Sequence, residues 1–138
     1  MKQFFAVSLL ALTSFAADAA NEAITVYKDP DCGCCTAWAD YMSQAGYKLK
    51  VIDRQDMLEI KQKMKVPNSL QSCHTGVVDA TGQVIEGHVP VLTVSKLIAS
   101  RLTKGVAVPG MHANSPGMGK MDGKLVTVDF AGKEFSRD

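Results

Sequence analysis

Three cysteines crowded into four residues, Cys32-Gly33-Cys34-Cys35, constrain this chain more than any other feature. They follow a short β-rich run, Ile24-Thr25-Val26-Tyr27, and a breaker, Asp29-Pro30-Asp31, and they open a stretch of helical character. Thiols packed this closely make a poor framework for tying distant segments together. The chain must therefore bury a core of its own, and its 138 residues suit one domain.

The order of elements follows from periodicity. Residues 36–45 read as a helix, with Trp38, Tyr41 and Met42 at helical spacing and Gly46 as a stop. Residues 47–52 read as a second strand. Residues 57–64 read as a second helix, with Met57, Ile60 and Met64 on one face and Val66-Pro67 ending it. Strands over 75–78 and 84–86 are joined across Asp79-Ala80-Thr81-Gly82, a hairpin signal. Residues 91–102 read as a third helix. The order β-α-β-α-β-β-α predicts an α/β fold, a thioredoxin-like mixed sheet flanked by helices. Residues 105–138 carry two prolines, three methionines and many glycines. They predict a loop through Met121, then short closing strands over 125–129 and 133–135.

The first residues read differently. Lys2 is followed by an apolar run from Phe4 to Phe15, broken only by Ser8, Thr13 and Ser14, and then by Ala17-Asp18-Ala19. That pattern predicts a secretory signal peptide over 1–19 and a domain over 20–138. The run is shorter than the roughly 20 residues of a bilayer span, and no later segment is long and apolar enough. The expected location is the periplasm, with no membrane span after cleavage. Fifteen basic and fourteen acidic residues give a net charge of +1, without the basic run that nucleic-acid binding requires. No acid/base pair, phosphate loop or serine set points to hydrolytic or transfer chemistry, so a binding role is favoured over an enzymatic one.

A helix start carries unpaired N–H groups and a positive end, which favours thiolates. Four uses of the cluster compete. Cys32 and Cys35 have the spacing of a redox pair, but Cys34 beside them would compete in exchange. Structural zinc prefers two separated knuckles, and Cys34 and Cys35 point about 100° apart on a helix. Cu(I) suits soft thiolates, and a bridging thiolate serves two ions, so divergent neighbouring thiols suit a polynuclear copper site. Two structural disulfides are the remaining use. Cys73, just before the third predicted strand, should face the helix start, and the hairpin should return His88 toward it. His74 is a weaker metal candidate. Met111-His112, Met118 and Met121 place soft thioethers on the Gly/Pro-rich loop.

Four segments in order closely resemble the CopG-type family of exported bacterial proteins associated with copper resistance. They are Tyr27-Lys28-Asp29-Pro30-Asp31-Cys32-Gly33-Cys34-Cys35, Leu70-Gln71-Ser72-Cys73-His74-Thr75, Ile85-Glu86-Gly87-His88-Val89-Pro90 and Ala107-Val108-Pro109-Gly110-Met111. The resemblance covers nearly all of the chain after residue 19. It implies a thioredoxin-like fold and a copper–thiolate centre with Cys32, Cys34, Cys35 and Cys73 as sulfur ligands. His88 and Met111 fall in the family's motifs and join the implied ligand set. The function implied is that of an exported copper-resistance protein holding Cu(I), with redox cycling as a variant. Its partners would be copper ions and other periplasmic copper-handling proteins. The alternative is a thiol–disulfide oxidoreductase working through Cys32 and Cys35.

Overall fold

Seven strands form one mixed sheet in the order β2-β1-β3-β4-β5-β6-β7. The computed structural model describes residues 22–138. The expected signal peptide, 1–19, and the expected domain start at Ala20 lie outside the described residues. The elements are β1 (Ala23–Lys28), α1 (Gly33–Gln44), β2 (Lys48–Asp53), α2 (Met57–Lys63), β3 (Thr75–Val78), β4 (Val84–Glu86), α3 (Val91–Ala99), β5 (Gly105–Ala107), β6 (Val126–Asp129) and β7 (Glu134–Arg137). The first seven follow the β-α-β-α-β-β-α order read from the sequence. Both parallel pairs, β1 with β2 and β4 with β5, are joined through a helix, as parallel strands require. The other four pairings are antiparallel.

Register decides which face each residue serves. Ile24 pairs with Val78, Val26 with Gly76, and Gly76 with Ile85. These residues share a face, because directly paired residues point the same way. Ile24, Val26, Val78 and Ile85 join Trp38 and Met42 of α1 and Val94 and Leu97 of α3 in one buried cluster. In α1 the buried side chains are Cys35, Trp38, Ala39 and Met42, a single helical stripe. The opposite face carries the Thr75–Glu86 pair, which Lys61 of α2 reaches. The sheet is thus covered by α1 and α3 on one side and α2 on the other. No helix among the described residues is long and apolar enough to cross a membrane.

Three boundaries differ from the sequence reading. The first helix begins at Gly33, so Cys34 and Cys35 lie in its first turn and Cys32 is its N-cap. The third helix ends at Ala99 rather than 102, in tight turns where Ser100 N–H bonds Leu97 O and Thr103 N–H bonds Ser100 O, and the buried Gln83 amide also donates to the carbonyls of Leu97, Ser100 and Thr103. Leu102 consequently lies exposed. Residues 105–107, expected to be loop, form β5. With three residues, one a glycine covered by the Phe130 ring, this strand has too little pattern to announce itself. Residues 108–125 do form a loop, but a fixed one. Ser115 and Leu125 are buried within it, and it folds back over the start of α1.

Candidate metal centre

Three separate elements meet at the N-terminus of α1. The turn before the helix is closed by Asp29, whose carboxylate accepts the Asp31 N–H and whose carbonyl accepts the Cys32 N–H. This turn sets Cys32 at the cap, and helical geometry then places Cys34 and Cys35 beside it. Cys32 and Cys35 form a disulfide, with Cα atoms 5.3 Å apart. Cys34 and Cys73 are free thiols. One disulfide is therefore closed, not the two of the purely structural reading. Cys34 Sγ lies 3.6 Å from Cys32 Sγ.

The second element is the segment before β3. The β3–β4 register runs Thr75 to Glu86, Gly76 to Ile85 and Val77 to Val84. Extended past its first rung, it sets His74 opposite Gly87 and Cys73 opposite His88. Gly87 N–H does bond the His74 carbonyl, at 3.0 Å. Gly87 has φ of +75° and lies so close to Val108 O and Ser72 that a side chain would collide with both. This tight passage leaves His88 Nε2 3.1 Å from Cys73 Sγ. The expectation that the hairpin returns His88 to Cys73 is met.

The third element is the loop over 108–125. The Pro116 carbonyl lies 2.7 Å from His88 Nδ1. A carbonyl only accepts, so Nδ1 carries the hydrogen, and the neutral ring turns the Nε2 lone pair toward Cys73. Gly117 packs against Trp38 N and the Cys34 carbonyl, roofing the helix start. The Ser72 hydroxyl donates to the Gly110 carbonyl at 2.9 Å, tying the loop to the Cys73 segment.

Donor atoms converge in two overlapping groups. The sulfurs of Cys32, Cys34, Cys35 and Cys73 all lie within 4.8 Å of one another. So do the donor atoms of Cys35, Cys73, His74 and His88. Cys34 and Cys35, expected to diverge along the helix, thus stay close enough to serve one site. Either group could hold a metal ion once its thiols are free. His74 is fully buried against Trp38, with ring centroids 4.4 Å apart, and its Nε2 has no partner among the described residues. The ring nitrogen that meets the cluster is Nδ1, 3.6 Å from Cys73 Sγ.

Met111 follows the tethered Gly110 and is more than half exposed, on the solvent side of the loop. Met118 follows Gly117 and is partly buried, as is Met121. His112 is exposed, with Nε2 at 2.9 Å from the Pro109 carbonyl.

The electrostatics favour neutral groups. Burial pushes the Cys73 thiol up, against a pull from the Ser72 hydroxyl. Burial, then His88 and then Lys61 hold His74 well below the usual histidine range. Burial lowers His88 too, opposed by its bond to Pro116. The neutral imidazoles can take a soft cation without losing a proton, whereas each free thiol must release one to bind as thiolate.

A buried charge network, not foreseen in the sequence, lies behind Cys73. Glu86 accepts Lys61 Nζ at 2.5 Å and the Ser72 N–H at 2.6 Å on one oxygen, and the Thr75 hydroxyl at 2.7 Å on the other. The only hint was a glutamate ending Val84-Ile85-Glu86 in a strand buried on both faces, where a charge needs a partner.

Residues 70–118 match a family model described as a protein of unknown function, DUF411. Comparison with curated proteins gives no match. Two solved structures resemble the chain. One, titled copper resistance protein CopG, form 1, is 39% identical with a TM-score of 0.71, covering 83% of this chain and 93% of that one. The other, form 2 of the same title, is 38% identical with a TM-score of 0.73, covering 85% and 95%.

Proposed function

The chain belongs to the family of the copper resistance protein CopG, and on that premise we propose that its cysteine–histidine cluster binds Cu(I) and serves copper resistance. One observation carries the reading. The two donor groups share Cys35 and Cys73. A thiolate in two groups at once is placed to bridge two ions, so the arrangement favours a polynuclear copper–thiolate site. Soft sulfur selects Cu(I), and the oriented His88 ring offers its Nε2 lone pair beside Cys73. His74 adds a second imidazole, and the exposed Met111, next to the Gly110 that Ser72 tethers, would add a thioether from the loop.

The Cys32–Cys35 disulfide makes this site conditional. Opening it takes two electrons and two protons and returns two thiols. Full copper capacity then belongs to the reduced chain; in redox cycling the two electrons would come from two Cu(I) ions becoming Cu(II), with the two protons taken from water. The signal-like residues 1–19 support export to the periplasm, where other copper-handling proteins would be its partners; cell fractionation checks the location.

The test is anaerobic loading of the reduced protein with Cu(I), counting copper and free thiols per chain. More than one copper per chain with thiols consumed is the expected result. Cys34→Ser and Cys73→Ser should each lower the count, and an unchanged count in both refutes the four-sulfur site.

The disulfide at the start of α1 favours a second reading, a thiol–disulfide oxidoreductase. In that case Cys32→Ser abolishes insulin reduction while Cys34→Ser spares it. An inactive wild type excludes it.

A further inference from the structure

The Lys61–Glu86 pair lies where charge is expensive. Glu86 is fully buried and Lys61 nearly so. Taking two ions out of water costs several kcal/mol each, and a buried pair of this kind is weak evidence for stability, since apolar residues of similar volume often serve as well. An apolar pair would lack one thing, an acceptor for the Ser72 N–H. Ser72 precedes β3, whose first rung is Thr75, so this N–H has no place in the sheet ladder. Glu86 supplies the acceptor.

The carboxylate has little freedom to move. Lys61 holds one oxygen and Thr75 the other, and Lys61 also donates to the Thr75 hydroxyl at 3.1 Å. Two residues past Ser72, the His74 carbonyl is bonded by Gly87 N–H. Cys73 therefore hangs between two fixed backbone bonds, one of which is made by a side chain.

We propose that Glu86, oriented by Lys61 and Thr75, is a positioning residue of the metal site: through the Ser72 amide it fixes the backbone that presents the Cys73 sulfur to His88 and to the other three sulfurs. The proposal rests on the reading of the cluster as a copper site and adds a residue that touches no metal.

Two pairs of variants of the full chain, reduced under anaerobic conditions, test it. Lys61→Met with Glu86→Gln removes both charges but keeps an amide oxygen for the Ser72 N–H. Lys61→Met with Glu86→Leu removes the acceptor as well. Ser72→Pro deletes the N–H and leaves the ion pair in place. Gln71 already has φ of −62° and ψ of 140°, the conformation a following proline demands. Ser72→Ala controls for the hydroxyl.

Cu(I) affinity is read against a chromophoric chelator, with the near-UV copper–thiolate absorption recorded alongside. Iodoacetamide labelling of Cys73 in the metal-free protein is followed by peptide mass. Ser72→Pro should weaken Cu(I) by about tenfold or more relative to Ser72→Ala, which removes the hydroxyl alone, and the Met/Leu pair by as much relative to wild type, as loss of an outer support typically does, while the Met/Gln pair stays within about threefold of wild type. Cys73 labelling should quicken in Ser72→Pro and the Met/Leu pair against those same references, and the Met/Gln pair should keep the wild-type absorption.

Affinity and labelling in Ser72→Pro that match Ser72→Ala overturn the proposal, as does a Met/Gln pair that falls as far as Met/Leu. Should the Met/Leu pair fail to fold, Ser72→Pro decides alone. A wild type that retains no Cu(I) refutes the copper reading, while the labelling comparison still decides whether Glu86 sets the place of Cys73.

Discussion

Acidifying the metal-free, disulfide-closed protein should destabilise it in a range where exposed carboxylates are silent. The cause is His74. Its ring is fully buried, and burial, with His88 and Lys61 nearby, holds it neutral well below the ordinary value of 6.5. His88 is shifted in the same direction by burial. In the unfolded chain both rings take a proton near pH 6.5. In the folded chain they stay neutral to lower pH. The unfolded state thus binds more protons as pH falls, so the stability present above 6.5 is lost below it, until the folded rings titrate in turn. Each such proton costs about 1.4 kcal/mol per pH unit, and two rings at most about twice that. Against a domain stability of about 5–15 kcal/mol, one or two pH units is a large perturbation. Asp56, held at about 2 by its bonds to Arg54, and Asp122, lowered chiefly by Asn114, titrate below this window. The assay is urea unfolding at pH 7.5, 6.5 and 5.5, followed by circular dichroism with chelator present. His74→Phe keeps a ring against Trp38 and removes the proton. The wild-type unfolding free energy should fall as pH is lowered through 6.5, and the variant should lack about 1.4 kcal/mol of the total fall between pH 7.5 and 5.5. Equal slopes in the two proteins would refute the assignment to His74.

Three further outcomes follow from particular contacts. Trp38 is fully buried and its indole N–H donates to the Val89 carbonyl at 2.9 Å. Trp38→Phe should cost about 2–4 kcal/mol in urea unfolding, from a lost bond and an underfilled core. Gly87→Ala forces a Cβ to within 2.6 Å of Val108 O at a φ of +75°. It should lower the melting temperature by at least the equivalent of about 1–3 kcal/mol and raise Cys73 accessibility to thiol reagents. Gln83→Leu removes a buried amide that donates to the carbonyls of Leu97, Ser100 and Thr103. It should cost about 1–3 kcal/mol and speed amide exchange at the end of α3.

What the sequence left dark has a common physical cause. Lys61 reads as one more surface lysine, since nothing local says that its ammonium enters the sheet to meet Glu86. The roof over the cluster depends on the carbonyls of Pro116 and Gly110 and on the backbone at Gly117. Backbone groups carry no residue-specific signature, so a Gly/Pro-rich stretch shows that a loop exists and not what it covers. The methionines there offer soft sulfur, yet the contribution of the loop that the structure shows is a proline carbonyl that orients His88. β5 was missed for a different reason. Its pairing with β4 is long-range, and Gly105-Val106-Ala107 is too short for alternation to register.

The core of the site was legible because hairpin geometry leaves little choice. Asp79-Ala80-Thr81-Gly82 marks the turn, and the bonds from Thr81 and Gly82 N–H to the Val78 carbonyl close it there. A turn of fixed length fixes the register of everything beyond it. With Val77 set against Val84, Thr75 must meet Glu86, and two residues further out Cys73 must face His88. Their 3.1 Å approach is thus a consequence of where the turn lies, not of mutual attraction. The same rung explains the charge network, because Thr75 and Glu86 are partners in the ladder before Lys61 reaches them. A slip of one residue in this hairpin would separate Cys73 from His88 and Ser72 from the Glu86 carboxylate together. The thiol, the imidazole and the support behind them are placed by one turn, and so the cluster on α1 meets them as a unit.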